Sequence, residues 1–171
     1  MEQRHREIKF RKATADDTRL IKELMDRYWG GEPLIIRGKD YYPSALPGII
    51  VEGDHGQIEA FLFYEIKDRA EDNKKECEIV VFEVLAKFNG TGTMILNQFL
   101  EMAKNNGCSR IFLMTTNDNL DALRFYQRRG FTICGIHLNS VAAARKVKPK
   151  ISLLGDYNIP VRDEIDLELL L

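Results

Sequence analysis

The sequence predicts an α/β fold in which helices flank a mixed central sheet. Three observations favour this fold class. The length of 171 residues suits one domain, hydrophobic residues make up 44% of the chain, and strand patterns alternate with helix patterns in the order βα, ββ, βαβαβ. We therefore expect residues 1–171 to form a single domain around one core.

Hydrophobic spacing and turn residues define the predicted elements. Alternating apolar and charged residues predict half-buried strands, apolar residues three or four positions apart predict helix faces, and glycine and proline mark the breaks. The strands predicted in this way lie at residues 8–12, 48–52, 58–67, 76–84, 110–115, 131–137 and 165–170. The predicted helices lie at residues 14–29, 91–106 and 119–129, with a weaker helix pattern at 141–144.

The first helix has clear start and stop signals. Thr14-Ala15-Asp16-Asp17 is a capping-type start, and Trp29-Gly30-Gly31 ends the helix. The stretch from there to Pro47 contains further glycine and proline breaks among apolar and aromatic residues. We expect it to form an irregular, partly helical loop.

The later elements follow the same logic. Residues 54–57 are typical of a turn that joins two strands in a hairpin. The segment 76–84 is rich in β-branched residues, which predicts a buried strand at the centre of the sheet. Gly107 and Gly130 end the next two helices, each of which leads into a strand.

Composition and charge exclude several functions. Lys plus Arg is 25 and Asp plus Glu is 26, a net charge of −1 without the basic excess of a nucleic-acid-binding protein. No apolar run suggests a membrane span, and the N-terminus lacks a signal-peptide pattern, so we expect no membrane partner and a cytoplasmic location. The scattered Cys and His residues predict no metal site. The basic run 145–150 predicts a solvated face, with docking of an acidic partner as the alternative.

The segment from Val84 to Thr93 predicts an anion site. A buried strand passes through a turn with Gly90 and Gly92 into a helix, and such a turn presents unpaired main-chain N–H groups to a phosphate. A Walker A loop is excluded because the Gly-Lys-Ser/Thr ending is absent, and a Rossmann fingerprint because Ile95 occupies the third glycine position. A glycine turn needed only for packing remains the alternative.

Two segments together resemble a known family. Lys87-x-x-Gly90-x-Gly92 is followed 27 residues later by Asn119-x-x-Ala122-x-x-Phe125-Tyr126-x-x-x-Gly130-Phe131. This pair, in this order, resembles the two signature segments of the GNAT superfamily of acetyl-CoA-dependent N-acetyltransferases. The chain departs from the family at Lys87, where Gln or Arg is usual, and in an insert of about 27 residues, 138–164, before the last strand.

The resemblance implies that acetyl-CoA is the cosubstrate, with no metal. The CoA pyrophosphate would bind main-chain N–H groups of the glycine turn, which belong to Phe88, Asn89, Gly90, Thr91, Gly92 and Thr93. The pantetheine arm would pair with the central strand at Phe82 and Val84. Asn119 would face the pantetheine, although a helix cap is an equal alternative. The motif positions Lys87, Ala122 and Tyr126 complete the implied cofactor site.

The resemblance also implies the catalytic groups of a direct transfer in a ternary complex. Tyr126 would donate a proton to the leaving thiolate, the alternative being a core tyrosine. Glu78 would be the general base, directly or through a water, with Glu76 or water alone as alternative bases. The other alternative for Glu78 is a solvated strand end. Side chains alternate along a strand, so we expect Glu76 and Glu78 on one face and Glu83 on the opposite face.

The sequence predicts the chemical class of the acceptor but not its identity. The loop after the first helix usually shapes the acceptor site in this family, and its candidates here are Tyr28, Trp29 and Glu32, with Arg37, Tyr41 and Tyr42 nearby. A small-molecule or peptide amine is expected, and a homodimer is compatible with the sequence. The alternative functions are a non-catalytic acyl-CoA-binding regulatory module and a different nucleotide-binding protein that uses the same glycine turn.

Overall fold

The computed structural model describes residues 9–69, 72–85 and 90–171. Its strands are β1 (Lys9–Lys12), β2 (Leu34–Ile36), β3 (Lys39–Tyr41), β4 (Gly48–Glu52), β5 (Ile58–Asp68), β6 (Lys75–Val84), β7 (Cys108–Thr116), β8 (Thr132–His137) and β9 (Glu164–Leu170). Its α-helices are α1 (Thr18–Trp29), α2 (Thr91–Asn105), α3 (Leu120–Gln127) and α4 (Ser140–Val147). None of these helices is long and apolar enough to cross a membrane.

The main sheet is mixed, as predicted. Its strand order is β1-β4-β5-β6-β7-β9-β8, which places β6 in the middle, in agreement with its β-branched composition. The β6–β7 pair is parallel, and the other neighbouring strands are antiparallel. The strands β2 and β3 form a separate two-stranded hairpin.

Each face of the sheet buries its own hydrophobic cluster. On one face, Cys77 and Ile79 of β6 pack in a cluster with Ile95 and Phe99 of α2. On the other face, Val81 of β6 belongs to a cluster that contains apolar residues of α1 and of the β2–β3 hairpin. We call these the α2 face and the hairpin face. The three-layer arrangement therefore follows from strands that direct apolar side chains toward both faces of the sheet.

A β-bulge in β6 changes which side chains share a face. Phe63 of β5 pairs with Val81, but the next residue, Tyr64, pairs with Ile79, so Val80 is the extra residue. Alternation is therefore reversed after the bulge. Glu83 pairs with Phe61, which lies in the hairpin-face cluster, so Glu83 lies on the same face as Glu78. The expectation that Glu83 points to the opposite face was wrong.

The two parallel strands separate partway along their length. The β6–β7 pairs run only as far as Ile79 with Leu113, although β6 continues to Val84 and β7 to Thr116. Within the described residues, the second half of β6 therefore has a ladder partner on its β5 side but none on its β7 side. We call this opening the β6–β7 gap.

The segment between α1 and β4 is more regular than expected. It forms the β2–β3 hairpin, whose turn residues Arg37 and Gly38 have φ of 49° and 74°. Positive φ at both positions is typical of a type I′ turn, which matches the twist of a hairpin. The irregular-loop prediction was wrong for this hairpin because Leu34, Ile36 and Tyr41 are buried against the hairpin face and hold the two strands in place. The partly helical character that was predicted is found in the 3-10 helix Pro43–Ala45.

The basic run 145–150 is not simply a solvated face. Arg145 donates hydrogen bonds to the main-chain carbonyls of Ile151, Ser152 and Val161. Lys148 Nζ donates to the carbonyls of Gly31 and Pro33, the latter at 3.0 Å. These contacts attach the segment after β8 to the loop after α1.

Candidate functional site

The N-terminus of α2 lies beside the β6–β7 gap. Gly90 is the residue before the helix and has a left-handed φ of 84°, while Thr91 and Gly92 are buried. The first N–H groups of a helix have no partner within the helix, and the helix dipole makes this end positive. The predicted site residues Lys87, Phe88 and Asn89 lie outside the described residues.

Gly92 has a packing role at this junction. A Cβ atom on Gly92 would lie 3.3 Å from Val84 Cγ2 and 3.4 Å from Phe125 Cε2. The absence of a side chain therefore lets α2 start between β6 and α3. Packing and anion binding are compatible explanations for this glycine, because a residue without a side chain allows both neighbouring side chains and a ligand to approach its main chain.

Arg129 adds positive charge to the first turn of α2. Its guanidinium lies over the Phe125 ring, 3.7 Å from the centroid, donates to the Phe125 carbonyl at 2.8 Å, and also donates to Thr93 Oγ1. Burial and the charges of Arg128 and Arg124 lower the Arg129 pKa. Three neighbouring arginines strengthen the attraction for an anion. The sequence analysis did not select Arg129, although the Arg128-Arg129 pair directly precedes the motif glycine.

Tyr126 of α3 is 6% exposed beside the second half of β6. Its ring lies 6.3 Å from that of Phe82 and 5.3 Å from that of Phe131, measured between centroids. Burial, with a smaller effect of the Glu83 charge, raises the Tyr126 pKa, which favours the protonated phenol. The structure thus brings Tyr126, Phe82 and Val84 together around the gap.

Asn119 acts as the helix cap that was considered for it. Its Oδ1 accepts a hydrogen bond from the N–H of Ala122 at 3.0 Å, at the start of α3. This contact fixes the position of Ala122, which packs against the α2-face core together with Phe125.

Glu78 lies at the centre of a charged cluster on the hairpin face. Its side chain is 1% exposed. Arg37 Nη2 donates to Oε1. Tyr41 Oη donates to Oε2 at 2.7 Å, and Lys67 Nζ donates to the same oxygen at 3.1 Å. Burial and the hydrogen bond to Glu78 raise the Tyr41 pKa to about 12. Burial alone would lower the Lys67 pKa, but the hydrogen bonds to Glu65 and Glu78 outweigh burial and raise it. Two cations therefore balance the Glu78 carboxylate.

Strand β9 contributes residues that the sequence analysis missed. Asp166 accepts from Arg37 Nη1 at 2.8 Å and contacts His137 Nε2 at 2.7 Å. Burial lowers the Arg37 pKa, but the charges of Glu78 and Asp166 outweigh this and raise it. The alternation Glu164-Ile165-Asp166-Leu167-Glu168 was a usable signal, because it places three carboxylates on one face of a strand.

The three acceptor-site candidates lie near the end of α1 but differ in their contacts. Tyr28 and Trp29 are 39% and 37% exposed. Glu32 instead accepts hydrogen bonds from the N–H of Ser44 at 2.6 Å and from its hydroxyl at 2.8 Å. Glu32 thereby stabilises the turn at Pro43–Ala45, while the two aromatic side chains keep accessible surface. Among the described residues, no group of three His, Cys, Asp or Glu side chains could hold a metal ion.

The sequence matches a family model and curated proteins. The model of the acetyltransferase (GNAT) family matches residues 18–131. Protein YxbD of Bacillus subtilis (strain 168) is 34% identical over 146 residues, which cover 85% of this chain and 88% of that protein.

Solved structures share the fold. The IAA acetyltransferase from Bacillus cereus ATCC 14579 superposes with a TM-score of 0.74 at 20% identity, over 96% of this chain and 100% of the other. Arabidopsis thaliana Naa50, in complex with the bisubstrate analogue CoA-Ac-MVNAL, gives a TM-score of 0.69 at 19% identity, over 96% and 99%. The mixed sheet flanked by helices is therefore the fold of known acetyltransferases.

Proposed function

Since this chain belongs to the GNAT family of acetyltransferases, we propose that it transfers the acetyl group of acetyl-CoA to a primary amine, directly and within a ternary complex. The acceptor is a small molecule or a peptide. No covalent enzyme intermediate is needed, because the amine itself can attack the thioester.

The observation that carries this proposal is the β6–β7 gap beside the N-terminus of α2. Beyond Ile79, one edge of β6 has no strand partner among the described residues, so an extended pantetheine can pair with main-chain groups near Phe82 and Val84. The pyrophosphate then lies at the first turn of α2, against Gly90, Thr91, Gly92 and Thr93, with Arg129 nearby. Lys87, Phe88 and Asn89 belong to the same proposed site.

The proposed reaction uses one carboxylate and one phenol. Glu78 accepts a proton from the acceptor ammonium through a water, because its own oxygens are buried and bonded. The amine nitrogen attacks the thioester carbonyl, while a main-chain N–H of β6 stabilises the developing oxyanion. The C–S bond breaks, and the CoA thiolate takes a proton from Tyr126, whose burial keeps the phenol protonated. The proton left on the acylated nitrogen then returns to the Tyr126 phenolate through water, which yields the neutral amide and restores the phenol.

The acceptor approaches from the hairpin face in this proposal. Glu78 lies on that face, and the exposed Tyr28 and Trp29 belong to the adjacent end of α1. Glu32 contributes through the turn that it stabilises. The Naa50 complex with a CoA-peptide conjugate supports a peptide amine as one acceptor class.

An acceptor screen with thiol detection tests the proposal. Purified protein is mixed with acetyl-CoA and a panel of small amines, amino acids, polyamines and peptides, and release of free CoA is measured. Thiol release that depends on the acceptor supports the enzyme. Tight acetyl-CoA binding without thiol release for any acceptor favours the regulatory module instead, and thermal stabilisation by ATP or NAD rather than CoA favours a different nucleotide-binding protein.

A further inference from the structure

A cavity of about 560 Å³ lies between the β2–β3 hairpin and α4. Arg37 and Asp40 line it from the hairpin, Ala144 and Val147 from α4, and Glu164 from the start of β9. Glu164 pairs with Thr116 of β7, three residues beyond the last β7 residue that is paired with β6. The cavity therefore lies on the hairpin face, about 10 Å along the sheet from the start of the gap.

Glu164 has one unpaired carboxylate oxygen at this cavity. The residue is 3% exposed, and its Oε1 accepts a hydrogen bond from the main-chain N–H of Arg37 at 3.3 Å. Its Oε2 is buried and has no hydrogen-bond partner in the part of the chain that the structure describes. A buried carboxylate oxygen without a donor is unfavourable, so a donor from a ligand would stabilise it.

The basic side chains that line the cavity with Glu164, Arg37 and His137, are already engaged. The Arg37 guanidinium bonds Glu78 and Asp166, and His137 contacts the second oxygen of Asp166. The exposed Asp40 adds a further carboxylate at the cavity. Among the described residues no group donates to Glu164 Oε2, so a cationic group of a ligand would supply the donor and would balance the charge of Asp40 as well.

The charge that binds there cannot be on the reacting amine. A contact with Glu164 favours the protonated form of an amine, and an ammonium has no lone pair with which to attack a thioester. Ala144 and Val147 also offer an apolar wall that suits a methylene chain. Both points indicate an acceptor with two cationic groups that are separated by carbon atoms.

We infer that the cavity binds the non-reacting ammonium of a diamine acceptor, with Glu164 Oε2 and Asp40 as its partners. This inference rests on the proposed function, and it names the substrate class of the same site. One amino group of the acceptor is acetylated at the β6–β7 gap, while the other remains an ammonium in the cavity.

Matched pairs of amines test the inference. The rate of CoA release is compared for 1,4-diaminobutane against butylamine and for 1,6-diaminohexane against hexylamine, with the wild-type protein, Glu164→Gln and Glu168→Gln. We expect wild type to favour at least one diamine over its monoamine by about 10-fold or more in kcat/KM. Glu164→Gln should bring this ratio close to one. Glu168, on the same face of β9 but bonded to Arg110, is the control, and its variant should keep the ratio.

The outcomes separate this inference from the proposed function. Equal use of diamines and monoamines by wild type, or a preference that survives in folded Glu164→Gln, overturns the cation site while acetyl transfer stands. If no amine releases CoA, the cation site is tested by calorimetric titration of the CoA-bound protein with both diamines. Binding that is lost in Glu164→Gln supports the cation site although the transfer proposal fails, and no binding overturns it. If Glu164→Gln does not fold, Asp40→Asn replaces it, and an unchanged preference overturns the inference.

Discussion

Tyr41 donates a hydrogen bond of 2.7 Å to Glu78 and so connects the β2–β3 hairpin to the central strand. Arg37, in the turn of the same hairpin, donates to the other carboxylate oxygen. A single carboxylate on β6 thereby positions both ends of the hairpin. The hairpin in turn encloses Glu78, so the catalytic proposal and the packing of this face depend on the same contacts.

Replacing Glu78 with Gln should lower kcat by about 10²-fold or more and abolish the rise in rate that accompanies deprotonation of a base, while acetyl-CoA affinity stays near that of wild type. The measurement is a pH–rate profile with a saturating acceptor, together with calorimetric titration of acetyl-CoA. Glu65→Gln is the matched control, because Glu65 pairs with Glu78 across β5 and β6 and also bonds Lys67. A fully active Glu78→Gln would leave Glu78 a positioning role and direct the search to Glu83.

Tyr126→Phe should keep the fold and acetyl-CoA binding but slow turnover by about 10² to 10⁴. Phenylalanine retains the ring that packs against Phe82 and Phe131 and removes only the hydroxyl. Tyr64→Phe, which alters another phenol in the same hydrophobic cluster, should have little effect on the rate. Wild-type turnover by the Tyr126 variant with a good acceptor would assign Tyr126 to the core.

Gly90→Ala should weaken acetyl-CoA binding more than Gly107→Ala does. Both glycines have a left-handed φ, 84° and 79°, and for both a Cβ would meet no atom within 4 Å. Each alanine should therefore destabilise the protein by a similar amount, about 1 kcal/mol. Only Gly90 borders the first turn of α2. Calorimetric titration and thermal unfolding of both variants check this, and equal acetyl-CoA affinities would remove the anion site from this turn.

Gly92→Ala should lower stability as well as cofactor affinity, because its Cβ would press against Val84 and Phe125. Overpacking of this kind typically costs about 1 to 3 kcal/mol. Urea unfolding of Gly92→Ala and Gly90→Ala measures the difference in their free energies of unfolding. A Gly92→Ala variant as stable as wild type would show that α2 can shift away from β6 at no cost.

Asp17→Asn should destabilise the protein at neutral pH by about 1 to 2 kcal/mol, with a difference that disappears in acid. The hydrogen bonds from Arg11, opposed by burial, lower the Asp17 pKa to about 2 from 3.8. Because the folded pKa is the lower one, the stabilisation is present above pH 3.8 and is lost as the pH falls through about 2. Urea unfolding at both ends of this range tests it, with the exposed Asp16→Asn as control, and a difference that persists in acid would contradict the ion-pair explanation.

The sequence predicted the strands of the main sheet and the starts of α2 and α3 because these depend on local patterns. The β-branched composition of β6 predicted its central position, and the glycine turn located the start of α2. The face of Glu83 could not be predicted, because a bulge is set by pairing with β5 and leaves no local signature. The role of Glu164 depends on a hairpin more than a hundred residues earlier in the chain.

The extra residue Val80 decides which side chains of the second half of β6 face each layer. If β6 paired with β5 without a bulge, Val80 would pair with Phe63, Glu83 would pair with Ala60, and the side chains beyond Ile79 would be exchanged between the two faces. Glu83 would then be directed into the apolar layer beneath α2, and Phe82 would leave its neighbours in α3. Removal of Val80 alone would leave these pairs as they are, because Val81 already pairs with Phe63. The bulge therefore lets one strand present Phe82 to α3 and Glu83 to the hairpin face on either side of the same gap.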